Sequence, residues 1–201
     1  MKRQLALPLP EWGGRRKGAG RPRTRPHPGL DGPGVPHLRR AGIARYHPVH
    51  VTLRVVPGVG YLRGQRLATG LIAVLNEACA RFGMRIVHYS IQGNHLHLIV
   101  EVENAAALSR AMQGLAIRLA KRINRLLRRR GRVFADRYHA HALRSRREVA
   151  NAVKYVLTNY RHHARERPPP RWDDPCSTRA AAPLTPPRTW LLRVGWRAEP
   201  P

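Results

Sequence analysis

The chain has 201 residues, of which 38 are Lys or Arg and 11 are Asp or Glu, giving a formal net charge of +27 at pH 7. This length predicts one compact domain with tails, and no apolar run is long enough to span a membrane. Two cysteines are too few for a disulfide framework or a zinc motif. Such a charge predicts a polyanionic partner, and nucleic acid is favoured over a membrane surface. We therefore expect a cytoplasmic, nucleoid-associated protein.

Residues 1–45 are rich in Gly, Pro and Arg and offer few large apolar side chains to bury. This composition predicts a basic disordered arm. Within the arm, the sequence GRPR at 20–23 resembles an AT-hook, whose arginines enter narrow minor grooves. A generic phosphate-binding tail is the alternative. Either interpretation makes Arg21 and Arg23 candidate DNA contacts.

The folded domain is predicted at 46–165, and a Pro- and Arg-rich C-terminal tail at 166–201. Strands are predicted at 50–56, 84–91, 95–102 and 133–143, and helices at 67–82, 105–129 and 146–164. Their order fits an α+β fold, a ferredoxin-like or RRM-like antiparallel sheet with helices packed on one side, flanked by basic disordered tails. Three tryptophans are candidate anchors of the C-terminal tail: Trp172, Trp190 and Trp196.

The segment at 92–102 reads QGNHLHLIVEV and combines a turn with a strand-like alternation. Because strand side chains alternate between faces, His95 and His97 share one face and the aliphatic residues share the other. The aliphatic face fits a core, whereas imidazoles gain little from packing and are common metal ligands. Solvated or hydrogen-bonded histidines are the alternative. The pattern makes His95 and His97 candidate metal ligands.

The helix predicted at 105–129 lies in a strongly basic region. Residues 104–135 include nine Lys or Arg and no acidic residue. A run of one sign repels itself unless an anion neutralises it, although a solvated helix face is the alternative. Five residues are predicted to contact phosphates: Arg118, Lys121, Arg122, Arg125 and Arg137.

The last predicted helix carries two tyrosines with different settings. The sequence SRRE at 145–148 has the form of a capping box and predicts a helix start at Arg146. Helical spacing places Tyr160 on the apolar stripe and Tyr155 on the polar face. Tyr155 alone is most simply an exposed surface residue. Together with two metal-binding histidines and a basic surface, it suits attack of a tyrosine hydroxyl on a metal-polarised phosphate.

Four segments, in this order, resemble the single-tyrosine HUH transposases, specifically the REP-associated branch. They are NHLH at 94–97, MQGL at 112–115, GRVFADRY at 131–138 and YVLTN at 155–159. The resemblance extends over residues 47–165. The chain departs from the family after the tyrosine, where the usual Asn-Pro is Asn159-Tyr160.

This resemblance implies an enzyme that cleaves and rejoins hairpin-associated single-stranded DNA through a 5′-phosphotyrosine intermediate, assisted by Mg²⁺ or Mn²⁺. Carried over by position, Tyr155 is the nucleophile, and His95 and His97 are metal ligands. Asn159 holds the position from which a polar side chain completes the metal site in related transposases. An amide is a weaker ligand than a carboxylate. The resemblance leaves open whether Tyr155 acts within one chain or across a homodimer.

Two other functions compete with a transposase. The first is a non-catalytic RRM-like nucleic-acid-binding protein, a domesticated or inactive transposase, although the predicted strands carry few aromatic residues for base stacking. The second is a metal-dependent nuclease that activates water, which would leave Tyr155 without a role. His139 and His141 repeat the His-x-His spacing on the last predicted strand, and we interpret them as DNA-facing or solvated.

Overall fold

A four-stranded antiparallel sheet forms the centre of the protein, whose computed structural model describes residues 42–81, 83–163, 172–179 and 182–197, without the side chains of 162 and 163. The strands are β1 (Val49–Arg54), β2 (Met84–Ile91), β3 (His95–Val102) and β4 (His139–Ala142), in the spatial order β2-β3-β1-β4. The helices are α1 (Gln65–Ala78), α2 (Ala105–Leu126), α3 (Arg146–Thr158) and α4 (Tyr160–His163). A 3₁₀ turn spans Pro57–Val59, and a π-helical turn spans Leu191–Gly195. Within the described ranges, no helix is long and apolar enough to cross a membrane.

The aliphatic face of the sheet builds the main core. Leu96 and Leu98 of β3 are fully buried there, and the pairing of Val51 with Leu98 continues this face onto β1. Helices α1 and α2 pack against the face through their apolar stripes and contact each other. The predicted α+β fold, an antiparallel sheet with helices packed on one side, is confirmed, and α1 and α2 form that helical layer.

Helix α3 lies over the other face of the sheet, which carries the histidines. Its buried valines pack on Ile99 of β3 and Val87 of β2 in a second, smaller core. The predicted capping box is present: the Ser145 hydroxyl accepts from the Glu148 N–H, and the Glu148 carboxylate accepts from the Ser145 N–H. The helix ends at Thr158, before its predicted end, and α4 follows after one residue.

The C-terminal segment, residues 172–179 and 182–197, runs along the outer edge of β2. The Thr178 N–H donates to the Tyr89 carbonyl, and the Leu184 N–H donates to the Val87 carbonyl. These bonds satisfy backbone groups of an edge strand that would otherwise be open to other chains. Trp196 packs in the second core, as predicted for an anchor of this segment.

Arg63 fixes the C-terminal segment to the loop before α1. Its guanidinium donates to both carboxylate oxygens of Asp174, at 2.7 and 3.0 Å, and the Asp174 side chain is fully buried. We expect Arg63→Met to lower the free energy of unfolding by about 3 kcal/mol, because it leaves a buried carboxylate without its cation. Urea unfolding checks this. Arg66→Met, at an exposed position of α1, is the control, and equal stability of the two variants would contradict the expectation.

His88 lies on β2 beneath the C-terminal segment, 3% exposed, with Nδ1 3.1 Å from the Thr178 hydroxyl. Burial, with a smaller contribution from Arg197, lowers the pKa of His88 from 6.5 to about 4. The unfolded chain therefore takes up this proton at a higher pH than the folded chain, so stability is lost as the pH falls from 6.5 towards 4.

We expect the titration of His88 to lower the free energy of unfolding by about 2 kcal/mol when the pH falls from 7 to 5. The measurement is urea unfolding of the wild type and of His88→Gln at both pH values. The glutamine keeps a polar side chain near Thr178 but does not titrate. If the two proteins lose the same free energy on acidification, the buried histidine is not the cause.

Candidate functional site

Imidazoles from three neighbouring strands lie on the sheet face that α3 covers. His95 and His97 come from β3, and His50 comes from β1, where the adjacent Thr52 position pairs with His97. Strand β4 adds two exposed histidines beside His50 of β1. The site is therefore built by strand pairing rather than by one sequence segment.

The two histidines of β3 point their Nε2 atoms at each other. These atoms are 2.9 Å apart, and the rings are nearly perpendicular, at 88°. His95 Nδ1 lies 2.7 Å from the Asn94 amide oxygen. Because an amide oxygen can only accept, His95 donates from Nδ1 and keeps its lone pair on Nε2. This tautomer directs the lone pair into the space between the rings.

His97 also has acceptors for an Nδ1 proton. Its Nδ1 lies 3.1 Å from His50 Nε2 and 3.2 Å from the Thr52 hydroxyl oxygen. Burial, then the two histidines of β4, lower the pKa of His50 to about 4, so His50 is neutral at pH 7 and retains a lone pair. An acceptor that holds the Nδ1 proton while Nε2 faces a metal is the usual second partner of a ligating histidine.

The spacing of the two Nε2 atoms suits one divalent metal. Two ligand atoms about 2.1 Å from an ion and at right angles to each other are about 3 Å apart, the edge of an octahedron. In the described part of the chain, no three or more His, Cys, Asp or Glu side chains form a group that could hold a metal. Further ligands would therefore come from another residue type, from water or from the substrate.

Asn159 has the properties of such an additional ligand. It follows Tyr155 by one helical turn, is 1% exposed, and its amide nitrogen has no hydrogen-bond partner among the described residues. The amide oxygen and nitrogen exchange places when the group rotates by 180°. Rotation of the Asn159 amide would therefore turn its oxygen to the place where the nitrogen now lacks a partner.

Tyr155 projects from α3 onto the imidazoles. Its ring centroid is 5.2 Å from that of His97 and 6.1 Å from that of His50, both in edge-to-face arrangements. The side chain is 44% exposed, whereas Tyr160 is buried, as helical spacing predicted for each. The buried valines of α3, which pack on the same sheet face, fix the rotation of the helix. Tyr155 therefore has one side on the histidines and one side open to solvent.

The predicted phosphate-binding residues of α2 are not adjacent to this site. Helix α2 packs on the aliphatic face, across the sheet from the imidazoles. Four predicted contacts lie on it: Arg118, Lys121, Arg122 and Arg125. Arg137 instead precedes β4, whose histidines share the face of Tyr155. Arg21 and Arg23 lie outside the described residues.

Sequence reasoning missed three residues of the site. His50 and Thr52 alternate on β1, but only the pairing of β1 with β3 brings them to His97. Tyr61 is 64% exposed and its ring lies over Gly93, in the turn that leads into His95. A side chain at Gly93 would meet that ring at 3.1 Å, so the glycine allows the close approach.

A family profile described as IS200-like transposase matches residues 45–159, more than half of the chain. The chain belongs to the IS200-like transposase family. The matched region begins before β1 and ends at Asn159, so it contains the whole sheet, the histidine pair and Tyr155. Membership gives DNA transposition as the activity class of this transposase. The resemblance to transposases drawn from the sequence is confirmed at the level of this family.

Two of the similar solved structures are the following. A REP-associated tyrosine transposase bound to a REP hairpin has a TM-score of 0.52 and 18% identity, over 71% of this transposase and 82% of that chain. A bacterial tRNA(His) guanylyltransferase-like protein in complex with ATP has a TM-score of 0.42 and 16% identity, over 60% of each chain. No curated protein matches the sequence.

Proposed function

We propose that this transposase cleaves and rejoins hairpin-associated single-stranded DNA through a 5′-phosphotyrosine intermediate, with Tyr155 as the nucleophile. The observation that carries the proposal is the contact of Tyr155 with His97, whose Nε2 faces that of His95. A nucleophile and two metal-ligating nitrogens thus share one surface that is open to a DNA strand. A hydrolytic nuclease would not need the tyrosine at this place.

His95 and His97 are the proposed ligands of Mg²⁺ or Mn²⁺, and Asn159 is the proposed third ligand. When bound, the ion polarises the scissile phosphate and places positive charge near the tyrosine. A free tyrosine hydroxyl has a pKa of about 10 and is a weak nucleophile at neutral pH. The proposed ion would supply the positive charge that attack by the Tyr155 hydroxyl needs.

The reaction forms a bond from the Tyr155 oxygen to phosphorus and breaks the bond from phosphorus to the 3′ oxygen of the preceding nucleotide. The phenolic proton passes to solvent, and the leaving 3′ oxygen takes up a proton to become a hydroxyl. The fragment on the 3′ side of the break stays linked to Tyr155 through its 5′ phosphate, and the fragment on the 5′ side is released with a 3′ hydroxyl. Attack by a 3′ hydroxyl on this phosphotyrosine reverses the step and joins strands without another source of energy.

The proposed substrate is a hairpin with a single-stranded flank. The net charge of +27 favours binding of a polyanion and association with nucleoid DNA. The similar REP-associated transposase is bound to a REP hairpin. Because α2 lies across the sheet from Tyr155, its basic residues are proposed to hold DNA that reaches around the domain. Arg137 is proposed to contact the strand nearer to the site.

The proposal is tested by incubating the protein with labelled single-stranded hairpins from repeats that flank its gene. Mn²⁺ or Mg²⁺ is added, and the products are separated on a denaturing gel. A protein-linked DNA band that disappears with chelator supports the phosphotyrosine. Cleavage without a linked band would indicate a hydrolytic nuclease, and binding without cleavage would indicate a non-catalytic binding protein.

We expect Tyr155 to act on its own chain rather than across a homodimer, because it contacts His97 of the same chain. Mixing Tyr155→Phe protein with His97→Ala protein should therefore not restore linked DNA. The measurement is the same gel assay on each protein and on the mixture. Restored capture in the mixture would show a site shared between two chains.

A further inference from the structure

A cleft of about 650 Å³ lies at the far end of the sheet from the histidine pair. It is bounded by the start of β2, the end of β3 and the C-terminal segment. Glu101, which lines it, follows His95 by six positions on β3. At about 3.3 Å per strand residue, Glu101 is about 20 Å from His95 and about 13 Å from His97. The cleft is therefore a separate feature from the proposed active site.

Two large aromatic side chains line the cleft and are mostly exposed. Tyr46, in the turn before β1, is 67% exposed, and Trp190 is 58% exposed. The Trp190 ring rests on Gly195, where an added Cβ would lie 2.7 Å from it. That support holds the ring in place while most of its surface faces solvent. Exposed, fixed aromatic rings are the means by which proteins stack unpaired bases.

Cationic groups surround the aromatic pair. Three arginines line the cleft: Arg45, Arg85 and Arg188. The buried Glu101 carboxylate accepts from the Arg188 and Thr189 N–H groups and lies 3.7 Å from the Arg85 guanidinium, so its charge is balanced within the protein. The side chains of Arg45 and Arg188 are exposed. The mouth of the cleft thus offers guanidinium groups to an anion, although Glu103 also lines it.

We propose that this cleft binds an unpaired nucleotide of the substrate strand, with its base on Trp190 and Tyr46 and its phosphate at Arg45 and Arg188. The inference rests on the proposed function, because single-stranded DNA supplies the occupant. The cleft volume falls within the range of sites that enclose small ligands. At about 3.4 Å per stacked nucleotide, a strand needs about six nucleotides to reach from His95 to the cleft.

The test measures binding of single-stranded oligothymidines of increasing length to the full chain by fluorescence anisotropy. Salt is raised until non-specific phosphate binding is weak. Affinity should increase steeply once the oligomer is longer than about six nucleotides. The double variant Tyr46→Ala with Arg188→Ala should lose about tenfold affinity for long oligomers and leave short ones unaffected, since one stacked base contributes about that much.

Two controls separate loss of stacking from loss of fold or charge. Tyr46→Phe keeps an aromatic ring and should retain the length dependence. Arg193→Ala removes an exposed arginine of the same C-terminal turn that does not line the cleft, and should also retain it. Thermal unfolding confirms that every variant is folded. An unchanged length dependence in the double variant overturns the proposal, as does an equal loss at all lengths.

Thymidine monophosphate is the competing probe. If it binds as tightly as the long oligomer, the occupant is a free nucleotide, and the strand proposal is overturned. Covalent capture by the wild-type protein is scored separately. Absence of capture with intact length dependence overturns the proposed function and leaves the cleft as a nucleotide site. Capture without length dependence supports the proposed function and overturns the cleft as a nucleotide site.

Discussion

Replacing Tyr155 with phenylalanine is expected to abolish covalent capture of DNA and to slow strand cleavage by at least about 10³-fold. The change removes the attacking oxygen and keeps the ring that contacts His97 and His50. Because the side chain is 44% exposed, the free energy of unfolding should change by less than about 0.5 kcal/mol. The gel assay on hairpin substrates measures capture, and anisotropy should show DNA binding unchanged.

The matched control is Tyr160→Phe, which removes the same atom from the same part of the chain. Tyr160 is buried and its hydroxyl donates to the Trp172 carbonyl at 3.1 Å, so its loss should cost about 1 kcal/mol of stability. Capture should nevertheless persist, since this hydroxyl is not open to a strand. Cleavage that survives in Tyr155→Phe would mean that water, or another side chain, attacks the phosphate.

Local sequence patterns were sufficient for the elements that carry the candidate site. Strand alternation and the turn at 92–94 gave β2 and β3 their observed bounds, and the capping box gave the start of α3. These signals are short-range, because a hairpin and a helix start each depend on a few adjacent residues. The different exposure of Tyr155 and Tyr160 was likewise predicted from helical spacing, although the structure places Tyr160 in α4 rather than in the same helix.

Such local patterns do not predict which strands pair across a long separation in sequence. The order β2-β3-β1-β4 places His50 and Thr52 beside His97, and nothing in the sequence around β1 indicates that neighbour. The packing of the C-terminal segment on β2 was also not predicted by local patterns. Its contribution is backbone pairing along the edge of β2 and one buried ion pair, which a Pro- and Arg-rich composition does not reveal.

The strand predicted at 133–143 is shorter in the structure, because a local hydrogen bond interrupts the extended backbone. Only His139–Ala142 forms β4, and Phe134 makes an isolated bridge to Val55. Between them the Asp136 carboxylate accepts from the Arg137 N–H at 2.7 Å. A side chain that bonds nearby backbone offers an alternative to the ladder and ends extended pairing.

Removing the imidazoles of His95 and His97 together should eliminate binding of Mn²⁺ to the site and reduce cleavage by at least about 100-fold. Each ring supplies one of the two Nε2 atoms that lie 2.9 Å apart. Asn94 and His50 contact the Nδ1 atoms instead, so neither replaces a lost Nε2 ligand. Isothermal titration with Mn²⁺ on the protein without DNA measures the metal independently of catalysis. Binding of hairpin DNA in chelator should stay unchanged.

The chain provides its own control in the second His-x-His pair. His139 and His141 have the same spacing and lie on the same sheet face, but both are exposed, and His141 lies 3.5 Å from Glu148. Their double alanine variant should keep Mn²⁺ binding, because converging nitrogens with held tautomers, rather than spacing alone, make a metal site. If this variant lost Mn²⁺ binding and the β3 variant kept it, the metal site would lie on β4. Tyr155 would then have to act on a phosphate held by that strand.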